Sequence, residues 1–334
     1  MNNQSSPSAA QTIDRASTVI DPHIKVVDSH HHLWLKAHQR YLIEDFEADL
    51  SQNGHVISGT VYVECHSGYR QGGDPAKRSV GEAQFYAWEK ARGQILKDRK
   101  TDGFVGAVDL TIEERVEEVL DEMNEECGGK LKGIRGAVYW NPDPSLNLGL
   151  RPYSPKGLLL DAAFRRGFSY LAKTGLVYDA WQYEPQLPEL CDLADHFGEA
   201  VIVVNHCGGP LGINAYATSD RFSRWRSAIE QVAARPNTFM KLSGLTAPRI
   251  GIDLPSGRPD AETLATRWKP YIDACIEAFS PSRCLFGSNF PVDLAVCSYR
   301  DLINVYKLAT ASYSNEERNA IFSGTANRVY NLGA

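Results

Sequence analysis

This sequence contains no CxxC pair, no basic stripe and no apolar run approaching the ~20 residues of a membrane span. Each absence excludes something. The seven cysteines (Cys65, Cys127, Cys191, Cys207, Cys275, Cys284 and Cys297) are odd in number. That argues against a disulfide framework or a structural zinc knot and fits a reducing compartment. Several lie in apolar runs, where a thiol packs as a small hydrophobe. The formal net charge of −6 is spread along the chain, so neither nucleic acid nor a membrane is an expected partner. The opening MNNQSSPSAAQTIDRASTVI lacks the basic start and apolar core of a secretory signal. Residues 1–22 read as a flexible tail, and the chain is expected to be cytoplasmic.

What is present is an ordinary globular composition, 43% hydrophobic and 23% charged over 334 residues. Short apolar runs cover 24–30, 58–65, 104–110, 132–140, 175–181, 200–206, 238–244 and 283–289. Most lack strict alternation, as strands buried on both faces should. Amphipathic stretches lie between them at 80–96, 111–126, 161–174, 186–198, 223–235 and 262–280, with a final pair closing the chain. Asp109 and Thr111, ahead of Glu113 and Glu114, read as a helix start. Eight strand–helix repeats imply parallel strands with right-handed crossovers, closed into a single-domain (β/α)8 TIM barrel over residues 23–334. An open doubly wound sheet is the alternative, but no Gly-rich phosphate turn follows the first strand. The loops 66–79, 141–160, 207–222 and 246–261 each follow a strand and would crowd the C-terminal face of a barrel.

The strongest chemical signal is Asp28-Ser29-His30-His31-His32 at the end of the first strand. Positions i and i+2 of a strand share a face, so His30 and His32 converge on the barrel interior about 7 Å apart. Two neutral imidazoles so placed can share one metal ion or orient one water. Asp28 is expected on the same face, as an acceptor behind them. His206 ends the run AVIVVNH before a tight Cys-Gly-Gly-Pro loop. Glu64 ends the second run. A buried carboxylate there is costly unless paired, and either a catalytic role or an ion pair with Arg135 satisfies it. Arg135, in the fourth run, can grip a substrate carboxylate bidentately or bridge to Glu64 or Asp179. Tyr69 and Arg70 sit on the loop after strand two and could close over a ligand. Trp181 and Asp179 end strand five, His66 is a rim candidate, and Lys241 could line the barrel or pair with a neighbour.

DSHHHLW resembles the D-x-H-x-H-x-W opening of the amidohydrolase superfamily, in its amidohydrolase-related (amidohydrolase 2), lactonase-like branch. GIRGAVYW, VVNHCGGPLG, MKLSGL and LFGSNFPVD resemble that branch's fourth, sixth, seventh and eighth strands in order. The resemblance runs over nearly the whole chain from about residue 24. It implies that His206 is a metal ligand or polarises the substrate carbonyl. It also implies one divalent metal, zinc ahead of manganese, on His30, His32 and His206, or a metal-independent variant of the same site. One departure matters. Many relatives carry a catalytic Asp where this chain has Asn289, and an amide orients by hydrogen bonds but has no useful basicity. Asp293, four residues on, or Glu64 would have to replace it.

The resulting expectation is a hydrolase that opens a lactone or related cyclic ester of a small acidic or aromatic-derived metabolite. Its partner is a small molecule, and a homo-oligomer is compatible. Activity should fall as pH drops through ~6.5, because the imidazoles must be neutral. Two alternatives stand beside it. One is a metal-dependent decarboxylase of an aromatic or unsaturated acid. The other is a non-catalytic binding protein in which Asn289 marks lost chemistry.

Overall fold

The computed structural model describes residues 18–36, 39–146, 154–255 and 257–333. Residues 1–17 of the expected tail, 147–153 of the 141–160 loop and residue 256 of the 246–261 loop lie outside the described residues. Residues 18–22 correct the tail assignment. Asn304 holds them, accepting from the Ile20 amide at 2.9 Å and donating to the Thr18 carbonyl at 2.9 Å. Lys307 Nζ adds a bond to the Asp21 carbonyl at 2.7 Å.

Strand β1 (Val26–His31) runs into a small antiparallel hairpin, β2 (Trp34–Lys36) and β3 (Gln39–Tyr41), and then helix α1 (Ile43–Gln52). Strands and helices then alternate: β4 (Ile57–Val63), α2 (Val80–Arg92), β5 (Asp102–Gly106), α3 (Arg115–Glu126), β6 (Leu131–Ala137) and α4 (Ala162–Lys173). They continue through β7 (Val177–Trp181), α5 (Leu187–His196), β8 (Ile202–Val204), α6 (Arg221–Ala233), β9 (Thr238–Leu242), α7 (Ala261–Phe279), β10 (Cys284–Phe286) and α8 (Tyr299–Ala309). Two short helices, α9 (Asn315–Asn319) and α10 (Thr325–Val329), end the chain. Asp109 caps only a short turn, Leu110–Ile112, and α3 starts at Arg115.

The eight-stranded sheet is parallel throughout, in the order β1-β4-β5-β6-β7-β8-β9-β10. Past β10 the backbone returns to β1. His31 bridges Phe290, the Asn289 amide donates to His30 O at 2.7 Å, and the His32 amide donates to Phe290 O at 2.7 Å. These contacts close a (β/α)8 barrel. Val27, Val61, Val63, Val105, Val177, Val203 and Leu285 pack together as its inner core, with Tyr330 and Leu332 from the chain end. A larger apolar layer, including Phe46, Val119, Phe168, Ile229 and Ile272, joins the helices to the strands. Among the described residues no helix is long and apolar enough to cross a membrane.

One irregularity sets the site. Asp28 pairs with Thr60 and His31 with Tyr62, so three steps on β1 answer two on β4. That extra residue is a bulge, and a bulge shifts the parity of the side chains beyond it. Asp28 therefore does not share the histidines' face. It accepts from Ser288 N (2.8 Å), Ser288 Oγ (2.7 Å) and Tyr299 OH of α8 (2.9 Å), tying β1 to the end of β10.

Candidate active site

Beyond the bulge, His30 and His32 turn inward and His31 turns outward to stack on Phe46 of α1, with ring centroids 4.0 Å apart. His30 Nε2 and His32 Nε2 face each other at 3.2 Å. The direction of this bond follows from its ends. His32 Nδ1 lies 2.7 Å from Val63 O, which can only accept, so that nitrogen carries hydrogen. The neutral His32 ring must then accept at Nε2, and His30 donates from its own Nε2. This leaves His30 Nδ1 as an acceptor, with the Lys241 ammonium 3.4 Å away. Lys241 is fully buried and anchored by Asp179 at 2.6 Å, and Tyr330 OH donates to the other Asp179 oxygen at 2.6 Å. Lys241 and Asp179 thus form the floor beneath His30.

His206 arrives from the end of β8, 4.7 Å from the His30 ring centroid to centroid and 4.7 Å from Trp181. Its Nδ1 meets Ser243 Oγ at 2.9 Å. Gly244 makes room for it: with φ +69°, a Cβ there would sit 2.6 Å from His206 Nδ1. His206, Asn289 and His66 all hold left-handed backbone at non-glycine positions, with φ of 55°, 55° and 64°. Such conformations cost of order 1–3 kcal/mol each and persist where the surroundings over-determine them. All three line one cavity of about 340 Å³, together with His32, Arg135, Tyr139, Trp181, Tyr183 and Arg249.

The remaining expected residues distribute unevenly. Glu64 is buried and accepts from Arg135 Nε at 2.8 Å. Asp293 does not line the cavity. It sits behind Asn289, accepting from Asn289 Nδ2 at 2.9 Å and Thr246 Oγ1 at 2.7 Å, and burial pushes its carboxyl up to about 7. Tyr69 stacks on His66 and lines an adjoining cavity that shares His66 and Arg135 with the first. Arg70 is a correction. It pairs with Glu122 (2.6 Å) and Glu126 (3.5 Å) of α3, because its loop lies against that helix, and it lines neither cavity.

Sequence reasoning missed Arg249, Ser243 and Glu82. Glu82 accepts from Tyr62 OH and the Cys65 and Ser67 amides and so pins the loop after β4. No sequence pattern marks a single Arg in a polar loop, or a Glu on a helix that faces inward.

The electrostatics amend the expected pH response. Burial drives His30, His32 and His206 well below 6.5, helped by Lys241 at His30, by Arg135 at His32, and by Arg135 and then Arg249 at His206. His31 is lowered to about 3, also by burial. None of these four rings should show an NMR titration step at 6.5. Below 6.5 the unfolded chain binds protons on them that the fold does not. Stability should therefore decline with falling pH, by up to about 1.4 kcal/mol per pH unit for each ring. Urea midpoints that stay flat down to pH 5 would contradict this.

The His30 and His32 Nε2 atoms stand about as far apart as two ligand nitrogens on one tetrahedral zinc. Ligating a divalent ion would require His30 Nε2 to give up the hydrogen it donates to His32, so the pair offers two ligands only with that hydrogen bond broken. Among the described residues no third His, Cys, Asp or Glu joins them in a metal-binding group, and His206 Nδ1 is turned to Ser243.

Comparison with known proteins agrees with this architecture. The profile of the amidohydrolase family matches residues 27–332. An L-fucono-1,5-lactonase of Burkholderia multivorans is 27% identical over 325 residues, spanning 92% of this chain and 96% of that protein. A solved amidohydrolase from Burkholderia multivorans with HEPES bound superimposes with a TM-score of 0.70 at 25% identity, covering 92% of this chain and 99% of that one. A crystal form with zinc bound gives 0.68 at 26%, with the same coverage. A family match from the first barrel strand almost to the last residue, on a closed barrel with histidines at its mouth, establishes that this chain belongs to the amidohydrolase family.

Proposed function

We propose that this chain hydrolyses a lactone or related cyclic ester of a small acidic or aromatic-derived molecule. The observation that carries the reading is His206. Its ring lines the cavity and is fixed through Nδ1, which as N–H donates to Ser243 Oγ and leaves the Nε2 lone pair to act. A neutral imidazole in that position is a general base. Asn289, whose Nδ2 is committed to Asp293, offers its carbonyl Oδ1 to the same cavity.

An attacking water has two protons. Asn289 Oδ1 accepts one as a hydrogen bond, and His206 Nε2 removes the other as the water oxygen adds to the ester carbonyl carbon. The carbonyl electron pair moves onto oxygen, in a cavity that Arg135 also lines. Collapse breaks the ring C–O bond, and the His206 imidazolium returns its proton to the leaving oxygen. Glu64 remains bound to Arg135, and Asp293 acts by holding Asn289. A divalent metal such as zinc would be held by His30 and His32 and would supply Lewis-acid polarisation of the carbonyl. The zinc-bound relative supports that cation, and the relative named as a lactonase supports the reaction class.

Turnover of a panel of five- and six-membered lactones in ¹⁸O-labelled water tests the reading. One labelled oxygen should appear in the product carboxylate. Carbon dioxide released from unsaturated or aromatic acids, with no label incorporated, would replace it with the decarboxylase.

A further inference from the structure

The cavity carries two guanidinium groups, and they are not equivalent. Arg135 has its counter-charge, Glu64, at 2.8 Å. Arg249, on the turn Pro248–Ile250 after β9, is only 8% exposed. Its guanidinium lies over Trp181 at 4.8 Å and Tyr183 at 5.8 Å from the ring centroids. Its Nε is buried with no hydrogen-bond partner, and among the described residues no carboxylate forms an ion pair with it. Asp293, an acid in its surroundings, is held by Asn289 and Thr246 instead.

An arginine stays charged at any ordinary pH, and a buried charge without a partner is expensive. Aromatic faces offset part of that cost but leave the N–H donors unfilled. A ligand carboxylate supplies both the charge and the acceptors, in the bidentate geometry a guanidinium favours.

We infer that Arg249 is a specificity-determining residue that binds a carboxylate of the substrate separate from the ester group under attack, so the preferred substrates are anionic lactones. This deepens the hydrolase reading and rests on it. The guanidinium rests against Trp181 and Tyr183, and His206 lies against the same tryptophan. The reacting carbonyl and the anchored carboxylate are thereby fixed relative to one another. Arg135, tied to Glu64, lines the cavity without being the anchor.

Hydrolysis of an acidic lactone yields a dicarboxylate, so glutarate is a product-like probe that can be measured without turnover. Calorimetric titration of the wild-type chain should detect glutarate and fail to detect 1,5-pentanediol. Arg249→Met should weaken glutarate binding about 10–100-fold, the range expected for a charge-assisted hydrogen-bonded pair. Arg249→Lys should retain part of it, and it keeps the test valid if the methionine variant does not fold. In turnover, Arg249→Met should raise KM for lactones bearing a carboxylate and leave neutral lactones within about threefold, a split that general loss of structure would not produce. Equal glutarate affinity in wild type and Arg249→Met would overturn the assignment, as would a wild-type preference for neutral lactones. Glutarate binding that depends on Arg249, with no lactone turned over, would instead sink the hydrolase reading and leave the anion site standing.

Discussion

His206→Ala is expected to lower kcat by about 10²–10⁴-fold, the contribution typical of a positioned general base, with a much smaller change in KM. The variant removes the ring nitrogen that faces the cavity and leaves the scaffold that holds it. Ser243 loses one hydrogen-bond partner, which costs about 1 kcal/mol of stability. That is too little to unfold a domain, so thermal melting and circular dichroism should stay close to wild type while activity collapses. The matched control is His31→Phe. His31 faces Phe46 rather than the cavity, and its Nδ1 is buried without a partner. A phenyl ring there keeps the stack and removes an unsatisfied group, so kcat should hold. Because His30 and His32 flank that position, equal losses in both variants would mean the sequence cluster matters only for folding. A His206→Ala enzyme retaining more than about a tenth of wild-type kcat would remove the base from the mechanism.

The barrel is legible in the sequence because its strands are buried on both faces. Runs such as AVIVVNH need no alternation pattern, and loops with Gly, Pro and Asn bound them on either side. The hairpin β2–β3 escapes the same reading. Its strands are three residues each, and Leu35 points into solvent, so neither length nor period marks it. Helix α1 does carry a signal, with Ile43 and Phe46 buried at helical spacing, but it is short and acidic. The two histidines on β1 are found by the i, i+2 rule because they lie beyond the bulge together. Asp28 lies before it, and an inserted residue leaves no mark in residue types. The placement of Asp293, and Arg249 altogether, escape the sequence for a different reason. Whether a carboxylate lines a cavity or stands one layer behind it depends on the turn at Pro291. Whether an arginine has a partner depends on loops far away in sequence.

The second large effect concerns the barrel floor. Asp179→Asn should cost about 3–5 kcal/mol of stability, the usual penalty for removing one partner of a buried ion pair. Asp179 accepts from Lys241 and from Tyr330 at once, and all three side chains are sealed from solvent. Without the carboxylate, the Lys241 charge keeps only neutral acceptors nearby, the new amide oxygen and His30 Nδ1 3.4 Å away. Tyr330, which the chain end inserts under the barrel, loses its ionised acceptor. The double variant Asp179→Asn/Lys241→Met should regain much of the loss, since replacing both members of a buried pair is often close to neutral. Urea denaturation of the three variants measures this, and a single-variant loss below about 1 kcal/mol would show the pair to be dispensable. Activity separates the two roles of the floor. The double variant restores packing but takes away the donor at His30 Nδ1, and with it one of the two contacts that orient the His30 ring. Stability should therefore recover while kcat does not. If kcat returns along with stability, Lys241 serves the fold alone, and the orientation of the two imidazoles owes nothing to the charge beneath them.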